Sequence, residues 1–188
     1  MIHLNRRGKT EGQELIEAIV AMGIVSVTVI GIVGLVSRAV AESRVVADQT
    51  KAAYLASEGL EITKNILDSN GQPWNSGFSG GNYEVDYLSS SLISDKISDP
   101  INCVESELNL TSCDPLSFDS TAGLYGYPSS FPVTDSVTPT TFKRVITIVV
   151  PSGSNNNEID ATSTVSWVSK SGTPSEISVS TDFFNWRK

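Results

Sequence analysis

The chain of 188 residues carries a single histidine, His3, two cysteines, Cys103 and Cys113, and no proline before Pro73. One histidine at the extreme N-terminus leaves no base for a serine or cysteine triad in the body of the chain. Two cysteines and that histidine are also a poor set for zinc, which takes four ligands in structural sites. No catalytic residue, metal ligand or cofactor-binding motif is therefore expected. Basic charge is short as well: 13 Lys and Arg stand against 21 Asp and Glu, a net charge of −8. An acidic chain whose Trp74, Trp167 and Trp186 lack basic neighbours in a stacking pattern is not expected to bind nucleic acid.

Charge is missing altogether from residues 18–36, AIVAMGIVSVTVIGIVGLV. This run is long enough to cross about 30 Å of hydrocarbon as a helix. It exceeds the apolar core of a secretory signal, about 7 to 15 residues, and the best small-x-small border is only Ala39 to Ala41. Arg6, Arg7 and Lys9 precede it, and basic residues stay on the cytoplasmic side of a span. With these three and Glu11 set aside, ten basic and twenty acidic residues remain, so the rest of the chain is more acidic still.

The span begins with a carboxylate. GQELIEAIVAM places Gly12 five residues before Glu17. Charge inside a span costs about 2.5–3.5 kcal/mol on insertion scales unless it is paired or reaches water. This stretch resembles the class III leader of type IV prepilins and pseudopilins, in which a short basic leader ends in Gly and Glu stands fifth in the mature chain. The resemblance implies cleavage between Gly12 and Gln13 by a prepilin peptidase. It also implies a role for Glu17 in assembly, pairing with the freed α-amino group of a neighbouring subunit. A break after Gly8 would put Gln13 fifth and fits less well. The family's usual first residue is Phe or Met, so Gln13 leaves N-methylation open; an N-terminal Gln can also cyclise and lose its basic amine. YLASEGLEITKNILDSN, residues 54–70, is similar to the segment after the anchor in minor-pilin-like proteins of the PilV type, with Gly59 and Glu61 matching.

Beyond residue 36 apolar positions recur at three- and four-residue steps, Ala52, Leu55, Gly59, Ile62 and Ile66, among charged ones. Without proline the pattern predicts one helix over 13–67, roughly 80 Å long at 1.5 Å per residue. Gly23, Gly31 and Gly34 are tolerable in a membrane helix and permit close packing of neighbours. Asp68, Asn70, Gly71 and Pro73 are a stop signal. Strands are expected at 82–88, 142–150, 159–169 and 176–183, the last three as an antiparallel meander and the first beside them. Residues 89–141, with both cysteines and five prolines, read as an irregular insertion, functional or poorly ordered; the resemblance to pilins implies a variable, partner-facing surface there, a decorative loop being the alternative. A disulfide in an oxidising compartment accounts for the close Cys103 and Cys113, two buried thiols being the alternative.

Other motifs carry less. Residues 77–81 match G-x-S-x-G in form, but a helix stop precedes them and a strand follows, the reverse of a nucleophile elbow. Asp95 with Asp99, or Asp114 with Asp119, offer oxygen ligands without a calcium-loop pattern, and Asn109 opens a chance-level sequon. The fold expected is α+β: a leader over 1–12, a helix over 13–70 whose first half spans a membrane at 18–36, and a β domain over 71–188. The function expected is a structural subunit of a type IV pilus-type filament, with inner-membrane lipid and other pilin subunits as partners. A pseudopilin of a type II secretion or DNA-uptake machine is the alternative within the family. A single-pass anchored binding domain or enzyme is the alternative outside it.

Overall fold

In a computed structural model, the described residues are 11–70, 80–89, 93–94, 113–128, 131, 136–151, 157–169 and 172–186. Helix α1 runs Glu11–Asn70, two residues before the expected start and ending at the expected boundary, three residues past the end that periodicity alone gives. The strands are β1 (Gly81–Glu84), β2 (Ile93–Ser94), β3 (Pro115–Asp119), β4 (Leu124–Gly126), β5 (Val137–Val149), β6 (Glu158–Val168) and β7 (Pro174–Phe184). The fold is α+β, with the helix packed against an antiparallel sheet. Two compact units divide the chain, Met1–Val46 and Ala47–Lys188, so the division falls within the helix.

The second unit is organised around β5. β6 and β1 flank its second half, with Ile146 opposite both Ser163 and Tyr83. β3 pairs with its first half, Val137 lying opposite Asp119. β6 then pairs along its whole length with β7, completing the expected meander. Period two assigns faces: Phe142, Ile146 and Ile148 of β5 and Ile159, Ala161, Val165 and Trp167 of β6 are buried, while Asp160, Thr162 and Thr164 are half-exposed. Against the buried face the helix lays Ala52, Leu55, Ala56, Leu60, Ile66 and Leu67, in two apolar clusters. Each large side chain removed from water contributes about 1.5–3 kcal/mol before chain entropy is counted.

Two expectations need correcting. β1 ends at Glu84 instead of continuing to residue 88. The Asp86 carboxylate accepts the Leu88 amide at 3.1 Å and the Ser89 hydroxyl at 3.0 Å, which turns the backbone out of the ladder. The segment 89–141 is not wholly irregular: it supplies β2, β3, β4 and the first five residues of β5. β3 and β4 are joined by a turn in which Gly123 adopts φ +70 and donates its amide to Asp119 O. A side chain would be strained there.

Tyr83, on β1, is buried, and desolvation raises its phenol above the ordinary tyrosine value. The neutral phenol is therefore favoured by folding. Its contribution is complete below about pH 10, where the unfolded tyrosine also stays protonated, and is lost as pH rises through the folded value. Above about pH 10 stability should fall less steeply with pH for Tyr83→Phe than for the parent chain; equal slopes would contradict the assignment.

Candidate functional site

The first unit is described by its helix alone. Every described side chain over 12–47 is exposed, including Val27 at 72% and Ile30 at 73%. Over 18–36 apolar residues cover all sides rather than one stripe, the pattern of a helix surrounded by nonpolar material on every side. It is the one helix, among the described residues, long and apolar enough to cross a membrane. Three of its hydroxyls are bonded to its own backbone. Ser26 donates its hydroxyl to Met22 O at 2.7 Å, Thr28 to Ile24 O at 2.8 Å and Ser37 to Val33 O at 2.9 Å. Hydroxyls bonded in this way enter hydrocarbon without an unpaired donor.

Gly12, Gln13 and Glu17 lie together in the first turns of α1, all exposed. Among the described residues a Cβ built at Gly12 meets nothing within 4 Å, and the same holds at Gly23, Gly31 and Gly34. Packing among the described residues thus gives no reason for glycine at any of these four positions. Among the described residues no cation pairs with Glu17.

Gly59 is the contrasting case. Its Cβ would come within 2.9 Å of Arg144 Cδ, Ile146 Cδ1 and Ser163 Oγ. The absent side chain makes room for Arg144, which is fully buried although charged. Its Nη2 donates to Val85 O at 2.7 Å and its Nη1 to Leu55 O at 3.0 Å, with Glu58 Oε2 at 3.4 Å from the same nitrogen. Tyr127 joins the cluster: its hydroxyl donates to Arg144 O at 3.1 Å and its amide to Asp86 Oδ2 at 3.4 Å. One arginine therefore ties α1 and the end of β1 to β5, and Tyr127 adds the end of β4. Arg144 Nε and Ser163 Oγ are buried and find no hydrogen-bond partner among the described residues. Sequence reasoning assigned Arg144 no role, although the alternation Phe142, Arg144, Ile146, Ile148 already places it on the core face.

Cys113 is buried against Val145, and no free cysteine occurs among the described residues; Cys103 lies outside them. Of the acidic pairs, Asp95 and Asp99 lie outside the described residues, as does Asn109. Asp119 is a turn residue, accepting the Thr121 amide at 2.8 Å, while Asp114 is exposed. No group of three potential metal ligands occurs among the described residues. Residues 77–79 lie outside them, while Gly81 opens β1. Trp167 is a core residue and Trp186 is exposed, while Trp74 lies outside the described residues. Comparison with models of known families, with curated proteins and with solved structures returned no match.

Proposed function

We propose that the chain is a prepilin, a minor-pilin-like structural subunit of a type IV pilus-type filament. The observation that carries this reading is an apolar half-helix with a carboxylate at its start and four glycines for which the described residues give no packing reason. A lone carboxylate in a span is costly, and a cation from another molecule removes the cost. Removal of the leader after Gly12 would expose the α-amino group of Gln13, and one subunit's amine would pair with the next subunit's Glu17. The uncyclised form of Gln13 is then the competent one, because cyclisation removes the cation. Glycines at 23, 31 and 34 would let neighbouring helices approach closely.

On this reading the half-helix first crosses the cytoplasmic membrane with the basic leader inside, and subunits then pass from lipid into a filament whose core is made of these helices. The body outside the cytoplasm would hold a Cys103–Cys113 disulfide, supported by the buried Cys113 and the absence of a free thiol among the described residues. Closing so short a loop contributes about 3 kcal/mol in the chain-entropy treatment.

Glu17→Ala provides the test. Membrane insertion should be retained or improved, while recovery of the variant in sheared filaments should fall by an order of magnitude or more. Undiminished recovery would refute a role for Glu17 in assembly. Absence of the parent chain itself from filaments would favour an anchored monomer.

A further inference from the structure

Among the described residues the far edge of the sheet is long and open. β7 pairs with β6 over eleven residues, from Pro174 opposite Val168 to Phe184 opposite Glu158, and no described strand lies on its other side. Edges of this length are commonly blunted by lysine, interior proline or bulges. Here proline stands only at the first position, where a strand tolerates it, and the β6–β7 register has no shift.

The two faces of β7 differ. Ile177, Val179 and Phe183 line the helix side of the edge, packed on the core yet only half-buried. The other face carries Glu176, Ser178, Ser180 and Asp182. Asp182 lies opposite Asp160, a like-charged cross-strand neighbour, and Glu176 lies opposite Ser166. Lys143, opposite Ser166 on β5, is two strands away from Glu176, about 9.5 Å at the usual strand spacing. Among the described residues the edge is thus negative at two points six residues apart.

We propose that β7 is a docking edge for an extended segment of another protein, added as an eighth strand. That segment carries two basic residues six apart on one face, opposite Glu176 and Asp182, and apolar residues on the other, covering Ile177, Val179 and Phe183. Main-chain hydrogen bonds supply attraction and the alternate side chains supply selectivity. A second copy of β7 does not meet the requirement. PSEISVSTDFF contains no Lys or Arg, and two-fold pairing centred on Val179 sets Glu176 against Asp182 twice. The inference stands apart from the filament reading, since it concerns only the second unit.

The test uses the full chain in detergent and a labelled peptide, VKTTVTVK, whose antiparallel alignment sets its lysines against Asp182 and Glu176. Fluorescence anisotropy should show saturable binding that weakens with added salt. Replacing both peptide lysines by glutamate should weaken binding about tenfold, and Glu176→Lys with Asp182→Lys should restore it for the glutamate peptide. N-methylation of every second peptide amide on the pairing edge should abolish binding. Absence of saturable binding, or binding indifferent to N-methylation or to charge reversal, would overturn the proposal. Concentration-dependent dimerisation lost on shortening β7 would overturn it in favour of a second copy.

Discussion

Arg144→Met should destabilise the second unit by about 3 kcal/mol. Methionine preserves most of the aliphatic stem, so the loss is polar. Val85 O is deprived of a donor at 2.7 Å and Leu55 O of one at 3.0 Å, and hydrogen bonds from a charged donor are worth about 1.5–3 kcal/mol each. Leu55 O lies within the helix, where it has a second partner in the turn following, so its loss is the smaller. Glu58 recovers part of the cost: its side chain is 34% exposed and returns to water when the guanidinium is gone. Glu58→Gln should for that reason cost less than about 1 kcal/mol. Denaturant unfolding of the full chain in detergent measures both. Buried ion pairs elsewhere are replaced by hydrophobic side chains without loss, and a neutral or stabilising Arg144→Met would place this arginine in that class. The assigned role as a tie between helix and sheet would then fail.

Gly59→Val should destabilise the same unit by about 2 kcal/mol, through crowding rather than polarity. Three atoms stand 2.9 Å from the position of the new Cβ, and all three, Arg144 Cδ, Ile146 Cδ1 and Ser163 Oγ, belong to fully buried side chains. Overpacking of this kind costs about 1–3 kcal/mol. Valine regains a few tenths of a kcal/mol of helix propensity over glycine, which does not offset it. Gly31→Val supplies the control, since its Cβ meets nothing within 4 Å and the same helical gain applies. Equal unfolding free energies for the two variants would show that the helix shifts freely over the sheet at Gly59.

The contrast between these residues shows how far the chain could be read without its structure. The helix was legible because nothing breaks it: no proline precedes Pro73 and its apolar positions keep helical spacing from Ala52 to Ile66. β6 was legible because its alternation is nearly unbroken from Ile159 to Trp167. The start of β5 was obscured by Pro139, which removes a ladder donor; it is tolerated because β6 pairs with β5 only from Lys143 onward. The early end of β1 depends on where the Asp86 carboxylate turns, a local competition with the ladder that period two does not register. Arg144 was half-legible: alternation put it inward, but its partners at Leu55 and Val85 lie 89 and 59 residues away. Glu17 and Gly12 were legible only as a spacing. Their setting on an exposed helix has a partner, on the proposed reading, in another molecule.

The measurement that bears most directly on the prepilin reading is intact mass and N-terminal sequencing after co-expression with a prepilin peptidase, for the parent chain and Gly12→Leu. No described residue lies within 4 Å of a Cβ at Gly12, so the substitution changes the peptidase's substrate without crowding any of them. The same spectra, taken with and without reductant, read the Cys103–Cys113 disulfide as about two mass units. The account predicts a new N-terminus at Gln13 in the parent and retention of the leader in the variant. An intact leader in both, or cleavage near Ala41, would contradict it and leave an anchored or secreted β domain.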